Sequence, residues 1–184
     1  MRSSAGPVLV LVGPPGSGKS TVGRLAADRL GVGFRDTDAD VEAAAGTPVA
    51  EIFVEQGEDQ FRALEYDAVR RALAEHRGVL AVGSGAVLDR ATRHLLRSHP
   101  VVFLAVGLAD ALRRLGLARD RPAALGSPRA QLLLLLQARE PLYAEVAEVT
   151  VDTDGRTPAQ VADAVLVGPP PVPAMPGAES RTDR

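Results

Sequence analysis

Cysteine is absent from all 184 residues, which excludes disulfides, thiolate nucleophiles and cysteine-ligated zinc. A reducing compartment suits such a chain. No apolar run approaches the ~18 residues that a membrane-crossing helix needs. The start, MRSSAGPVLVLVG, carries one arginine and a short apolar run that passes straight into glycine, unlike a secretory leader, so a cytoplasmic protein is expected. An excess of positive charge is also missing. A formal net charge of -2 leaves no sustained basic face for nucleic acid or acidic lipid, and neither is expected as a partner. Any anion site must therefore be local. The length is that of one domain able to bury its own core, and a monomer is expected.

Lysine is the most informative scarcity. Of 21 basic residues every one is arginine except Lys19. In a chain so rich in alanine and arginine, a lysine needed only as a solvated charge drifts readily to arginine. Lys19 has not. A crowded phosphate pocket explains this, because it accepts a compact ammonium on a thin stem and refuses a planar fork.

Short β-branched or apolar runs alternate with helical stretches, which predicts a βαβα chain and a parallel sheet covered on both faces. Strands are expected at 8–12, 33–36, 79–82, 101–106 and 149–152, and helices starting near Lys19, Asp40, Pro48, Glu58, Asp89, Ala109, Arg129 and Pro158. The five leucines at 132–136 predict a helix turn buried on most sides within the domain or, as the alternative, packed against a partner. The stretch at about 116–128 is irregular and predicts a functional loop. From Gly168 onward five of the fourteen prolines and no periodic apolar face predict a disordered tail over 168–184, leaving 1–167 as a single domain.

After the first strand stands Gly13-Pro14-Pro15-Gly16-Ser17-Gly18-Lys19-Ser20-Thr21, which matches G-x-x-x-x-G-K-[ST] between a strand and a helix. Such a loop turns backbone N–H groups of Gly16, Ser17, Gly18 and Lys19 toward phosphate, and the helix N-terminus reinforces them. Lys19 would reach the β- and γ-phosphates of ATP, and Ser20 would offer its hydroxyl to Mg2+. Asp36 and Asp38, two apart at the end of the second strand, either cap the next helix or face a ligand at the carboxyl edge of the sheet. Arg62 taken alone is a surface charge, and Gly83-Ser84-Gly85 taken alone is a strand-to-helix turn.

Together these residues carry a resemblance. The phosphate loop, the Asp36-Thr37-Asp38 triplet, GEDQFR around Arg62, the glycine turn at 83–85, Arg121-Pro122, the segment Arg139 to Tyr143 and TDGRTP occur in the order found in shikimate kinases of the actinobacterial type, from Val8 to Leu166. The resemblance implies a three-layer P-loop NTPase fold of the nucleoside monophosphate kinase kind, with a five-stranded parallel sheet in the order 2-3-1-4-5 and a lid at about 116–128. It implies ATP-dependent phosphorylation of the shikimate 3-hydroxyl with Mg2+. By the same resemblance Asp38 holds the acceptor hydroxyls, Arg62 and Arg139 clamp its carboxylate, and Gly83, Ser84 and Gly85 line it. Asp36 orients Mg2+, Arg121 descends with the lid onto the transferred phosphate, and Arg114, Arg156 and Pro158 border the adenine. Thr21 follows Ser20 in the phosphate-binding set. Three positions depart from the family pattern: Ser84 stands where glycine is usual, Arg121-Pro122 is followed by two alanines, and the leucine run replaces a mixed helix. These departures surround the acceptor. They keep open a kinase of another small polyol acid such as gluconate, or a weakly active nucleotide-binding module.

Overall fold

The run LVLV is apolar at every position, which suits a strand covered on both faces. It forms β1 (Leu9–Val12), the central strand, with all four residues buried. The computed structural model describes residues 6–117 and 127–167. Around β1 lie β2 (Phe34–Asp36), β3 (Val79–Ala81), β4 (Val101–Ala105) and β5 (Val149–Asp152), all parallel and ordered β2-β3-β1-β4-β5. This is the order that the resemblance implied.

Alternation along β1 divides the core. Val10 and Val12 face Val69, Leu73, Leu96 and Tyr143, which belong to α3 (Val49–Glu75), α4 (Arg90–Leu96) and α6 (Pro128–Val146). Leu9 and Leu11 face Val22, Ala26, Val161 and Val165 of α1 (Lys19–Leu30) and α7 (Pro158–Val167). Helices thus cover both faces. Two further helices, α2 (Thr37–Ala45) and α5 (Leu108–Arg114), stand beyond the carboxyl ends of β2 and β4, where the cleft opens.

Strand boundaries agree with expectation to within a residue or so, whereas two helix features differ in instructive ways. α2 starts at Thr37 and not near Asp40, because the Asp36 side chain accepts the Asp38 N–H at 3.1 Å and caps the helix three residues early. The expected starts at Pro48 and Glu58 belong to one long helix that breaks at Gly57, whose φ of 84° lies in the left-handed region.

The leucine run is a correction. Only Leu132 is buried; Leu133 is 39% and Leu134 64% exposed, because a helix turns 100° per residue and α6 presents just one side to α5. Arg119, Arg121 and most of the expected lid, together with the expected tail at 168–184, lie outside the described residues.

Candidate active site

The phosphate loop joins β1 to α1. Gly18, at φ 91°, is the N-cap of α1, and Gly16 lies at φ 79°; both conformations are costly for any residue with a Cβ. The turn so made leaves the first N–H groups of α1 aimed outward. No side chain caps them. Lys19 folds back over the loop, its Nζ donating to the carbonyls of Gly13 at 2.8 Å and Pro14 at 3.2 Å. Burial lowers its pKa to about 8, a shift opposed by the nearby Asp38 and Asp36 carboxylates and reinforced by Arg139. Ser17 Oγ is buried with no hydrogen-bond partner among the described residues.

A cleft of about 600 Å3 opens over this loop. Gly16, Ser17, Gly18, Lys19, Ser20 and Thr21 form its floor, Asp36 and Asp38 stand at one end, and Arg114, Arg156 and Pro158 at the other. All eleven were expected in the site. Arg114 ties the far end together: its guanidinium donates to the Gly16 carbonyl at 3.1 Å, to Thr153 Oγ1 at 2.9 Å and to the Thr153 carbonyl at 2.7 Å. Asp110 holds the other side of that guanidinium at 3.2 Å and accepts the Gly155 N–H at 2.9 Å.

At the near end Ser20 Oγ donates to Asp36 Oδ2 at 2.6 Å. This pairs two hard oxygen donors at the edge of the phosphate floor. Among the described residues there is no cluster of three or more histidine or carboxylate groups able to hold a metal unaided. A hydroxyl and a carboxylate side by side are donors that suit a hard divalent cation such as Mg2+.

The residues expected at the acceptor converge on the turn after β3. Thr37 Oγ1 accepts the Gly83 N–H at 2.9 Å and joins that turn to the Asp36-Asp38 segment. A Cβ on Gly83 would strike the carboxylates of Asp38 and Glu65, and one on Gly85 would strike the Arg62 guanidinium. A side chain at either position would therefore displace the carboxylates or the guanidinium from their present places. Ser84 between them has no left-handed φ, so the side chain costs no strain there. Its carbonyl accepts from Arg139 Nη1 at 3.1 Å and from Tyr143 Oη at 2.6 Å.

Arg62 is held by Glu65 at 2.6 Å and Glu58 at 3.3 Å. Glu65 is 3% exposed, and its burial pushes its pKa up against the pull of Arg62. Asp38 is open to solvent at its rim but surrounded by protein below; this desolvation, with Asp36 adding to it, raises its pKa against the opposing charge of Lys19. Asp38, Arg62, Gly83, Ser84, Gly85 and Arg139 are thus brought together beside Lys19, while Arg121 falls outside the described residues. Sequence reasoning gave no role to Thr37, Glu65, Asp110 or Thr153. Thr37 and Thr153 stood within quoted motifs, Glu65 was signalled by its i, i+3 spacing from Arg62, and Asp110 had no such signal.

A phosphate cradle, a lysine and an adjoining pocket with one carboxylate and two guanidinium groups define a P-loop phosphotransferase acting on a small molecule. The sequence model of the shikimate kinase family matches residues 15–167. Relatives include shikimate kinases of Frankia casuarinae, 60% identical over 88% of this chain and 73% of that one, and of Salinispora arenicola, 60% identical over 85% of this chain and 93% of that one. Among solved structures, shikimate kinase from Acinetobacter baumannii in complex with shikimate superposes with a TM-score of 0.80 at 34% identity, over 88% of this chain and 90% of the other. The chain belongs to the shikimate kinase family.

Proposed function

We propose that this protein transfers the γ-phosphoryl group of ATP to the 3-hydroxyl of shikimate, giving 3-phosphoshikimate and ADP in the route to aromatic amino acids. The observation that carries the reading is the meeting, beside Lys19, of Asp38 with Arg62 and Arg139 around the turn at 83–85. A carboxylated polyol needs a cationic clamp and a hydroxyl acceptor. Two arginines and one aspartate supply both.

The nucleotide would lie along the cleft, with its phosphates on the backbone N–H groups of 16–19 and its base between Arg114 and the Arg156-Pro158 segment. Lys19 then exchanges its bonds to the Gly13 and Pro14 carbonyls for phosphate oxygens, which restores its full charge. Ser20 and Asp36 would hold Mg2+, which neutralises phosphate charge when bound. Asp38 takes the hydroxyl proton or orients it, and its raised pKa makes it a stronger base than an ordinary carboxylate. Arg62, braced by Glu65, and Arg139, braced by the Ser84 carbonyl, hold the carboxylate in register. A cytoplasmic monomer without nucleic-acid or membrane partners completes the reading; no helix among the described residues is long and apolar enough to cross a membrane.

The test is ADP release in a coupled assay with ATP, Mg2+ and a panel of acceptors. Turnover with shikimate and none with gluconate is expected. ADP release with gluconate alone would reassign the acceptor, and none with any acceptor would leave a nucleotide-binding module.

A further inference from the structure

The Ser84 carbonyl receives two donors from one helix. Arg139 and Tyr143 are four residues apart on α6 and therefore share a face. That face meets the turn after β3 at a single oxygen, with Arg139 Nη1 at 3.1 Å and Tyr143 Oη at 2.6 Å. The two donors differ in what holds them. Tyr143 is 1% exposed, and its ring stacks on Phe103 of β4 with centroids 5.1 Å apart. Its hydroxyl has little freedom. Arg139 is a longer, half-buried side chain, and a guanidinium loses much rotamer freedom when it is fixed for bidentate work.

We propose that Tyr143 is a positioning residue for the acceptor: its buried hydroxyl pins the Ser84 carbonyl, and that carbonyl in turn holds Arg139 and the 83–85 turn in the geometry that receives the carboxylate. The proposal rests on the reading that Arg139 clamps that carboxylate. A guanidinium has five N–H donors, so the bond from Nη1 to Ser84 leaves others for the ligand. The phenol stays a donor throughout the working range, because burial pushes its pKa up to about 12 despite the neighbouring Arg139. The same arrangement explains why serine is accepted at 84. The carbonyl is the group in use, and it is at the flanking glycines that a Cβ would push Asp38, Glu65 or Arg62 aside.

Tyr143→Phe keeps the ring and removes only the hydroxyl. The full chain should show KM for shikimate raised about three- to tenfold, the loss of one hydrogen bond, with KM for ATP and kcat each changed less than about twofold. A purely structural role would instead lower the melting temperature and the active fraction, and would leave KM for shikimate alone. A double-mutant cycle with Arg139→Lys makes the route explicit. If Tyr143 acts through Arg139, Tyr143→Phe adds little once Arg139 has been changed; if the two effects on KM multiply, the proposal fails. It fails equally if Tyr143→Phe leaves KM for shikimate unchanged while Arg139→Lys raises it. If Arg139→Lys itself leaves KM for shikimate unchanged, the carboxylate clamp is wrong and the proposal goes with it.

Discussion

The two ends of the cleft are built by different means. The phosphate end is made largely of backbone: the loop Gly13 to Gly18 joins β1 to α1, and N–H groups from its glycine-rich half and the start of α1 form the surface. The acceptor end is made of side chains from α2, α3, the turn after β3 and α6, which lie up to about a hundred residues apart in sequence and meet through close contacts with Gly83 and Gly85 and bonds to the Ser84 carbonyl. A backbone cradle recognises any triphosphate tail. A side-chain cage can recognise one acid. Substitutions should therefore separate by end: at the phosphate end they strike turnover with every acceptor, and at the other they strike the acceptor's KM first.

The largest effect is expected at Lys19. Lys19→Ala should cost roughly a thousandfold in kcat, and Lys19→Arg most of that despite conserving charge, because a planar fork fits a crowded phosphate pocket less well than a compact ammonium. Full turnover in the arginine variant, measured by ADP release, would refute the argument from shape. Asp38→Asn should follow, with kcat down about a hundredfold or more and KM for shikimate changed far less, since an amide still hydrogen-bonds but takes no proton. A raised KM for shikimate with kcat unchanged would make Asp38 a binding group only.

Arg139→Ala should raise KM for shikimate about ten- to a hundredfold and leave KM for ATP nearly unchanged. Arg62→Ala should do the same and also lower the melting temperature, because it strips the partner from a carboxylate buried at 3% exposure. If both arginine variants lose ATP and shikimate affinity together, the two ends of the cleft are not separable and the comparison breaks.

A smaller effect concerns protons. The Lys19 pKa of about 8 means that the free protein loses this positive charge as pH rises through that value, whereas bound triphosphate favours the charged form. ATP binding should therefore take up protons near pH 8 and above, and apparent ATP affinity should fall as pH rises. Calorimetry in buffers of differing ionisation enthalpy reads the uptake directly. Binding with no proton uptake across that range would show an ammonium already fully charged. Smallest of all is Ser84→Gly. No left-handed φ is relieved there and the carbonyl remains, so kinetic constants should move less than about twofold.

Legibility in the sequence followed the same division. The strands and their helices were readable because burial on both sheet faces demands unbroken apolar runs such as LVLV and VVFLA. The phosphate loop was readable because its function needs glycines, a lysine and a hydroxyl in one contiguous stretch. At the acceptor end Asp38, Arg62 and Arg139 became candidates only through their resemblance to a family, since each alone passes for a surface charge. Glu65 passed unnoticed for the same reason. The leucine run misled because composition cannot say which side of a helix faces its neighbour; Leu134, at 64% exposure, points away from α5.

By itself, then, the sequence determined what is local or periodic: the alternation of strand and helix, the left-handed glycine conformations of the phosphate loop and the one lysine placed in it. The tertiary structure alone decided what the side chains of the acceptor end are buried among and what they meet. It buried Glu65 beneath Arg62, brought Asp38 against Gly83, and set Arg139 and Tyr143 on one carbonyl. The reason is range. Backbone conformation is settled by a residue and its near neighbours, whereas the solvation and pairing of a charge depend on whatever the folded chain places within a few ångströms of it.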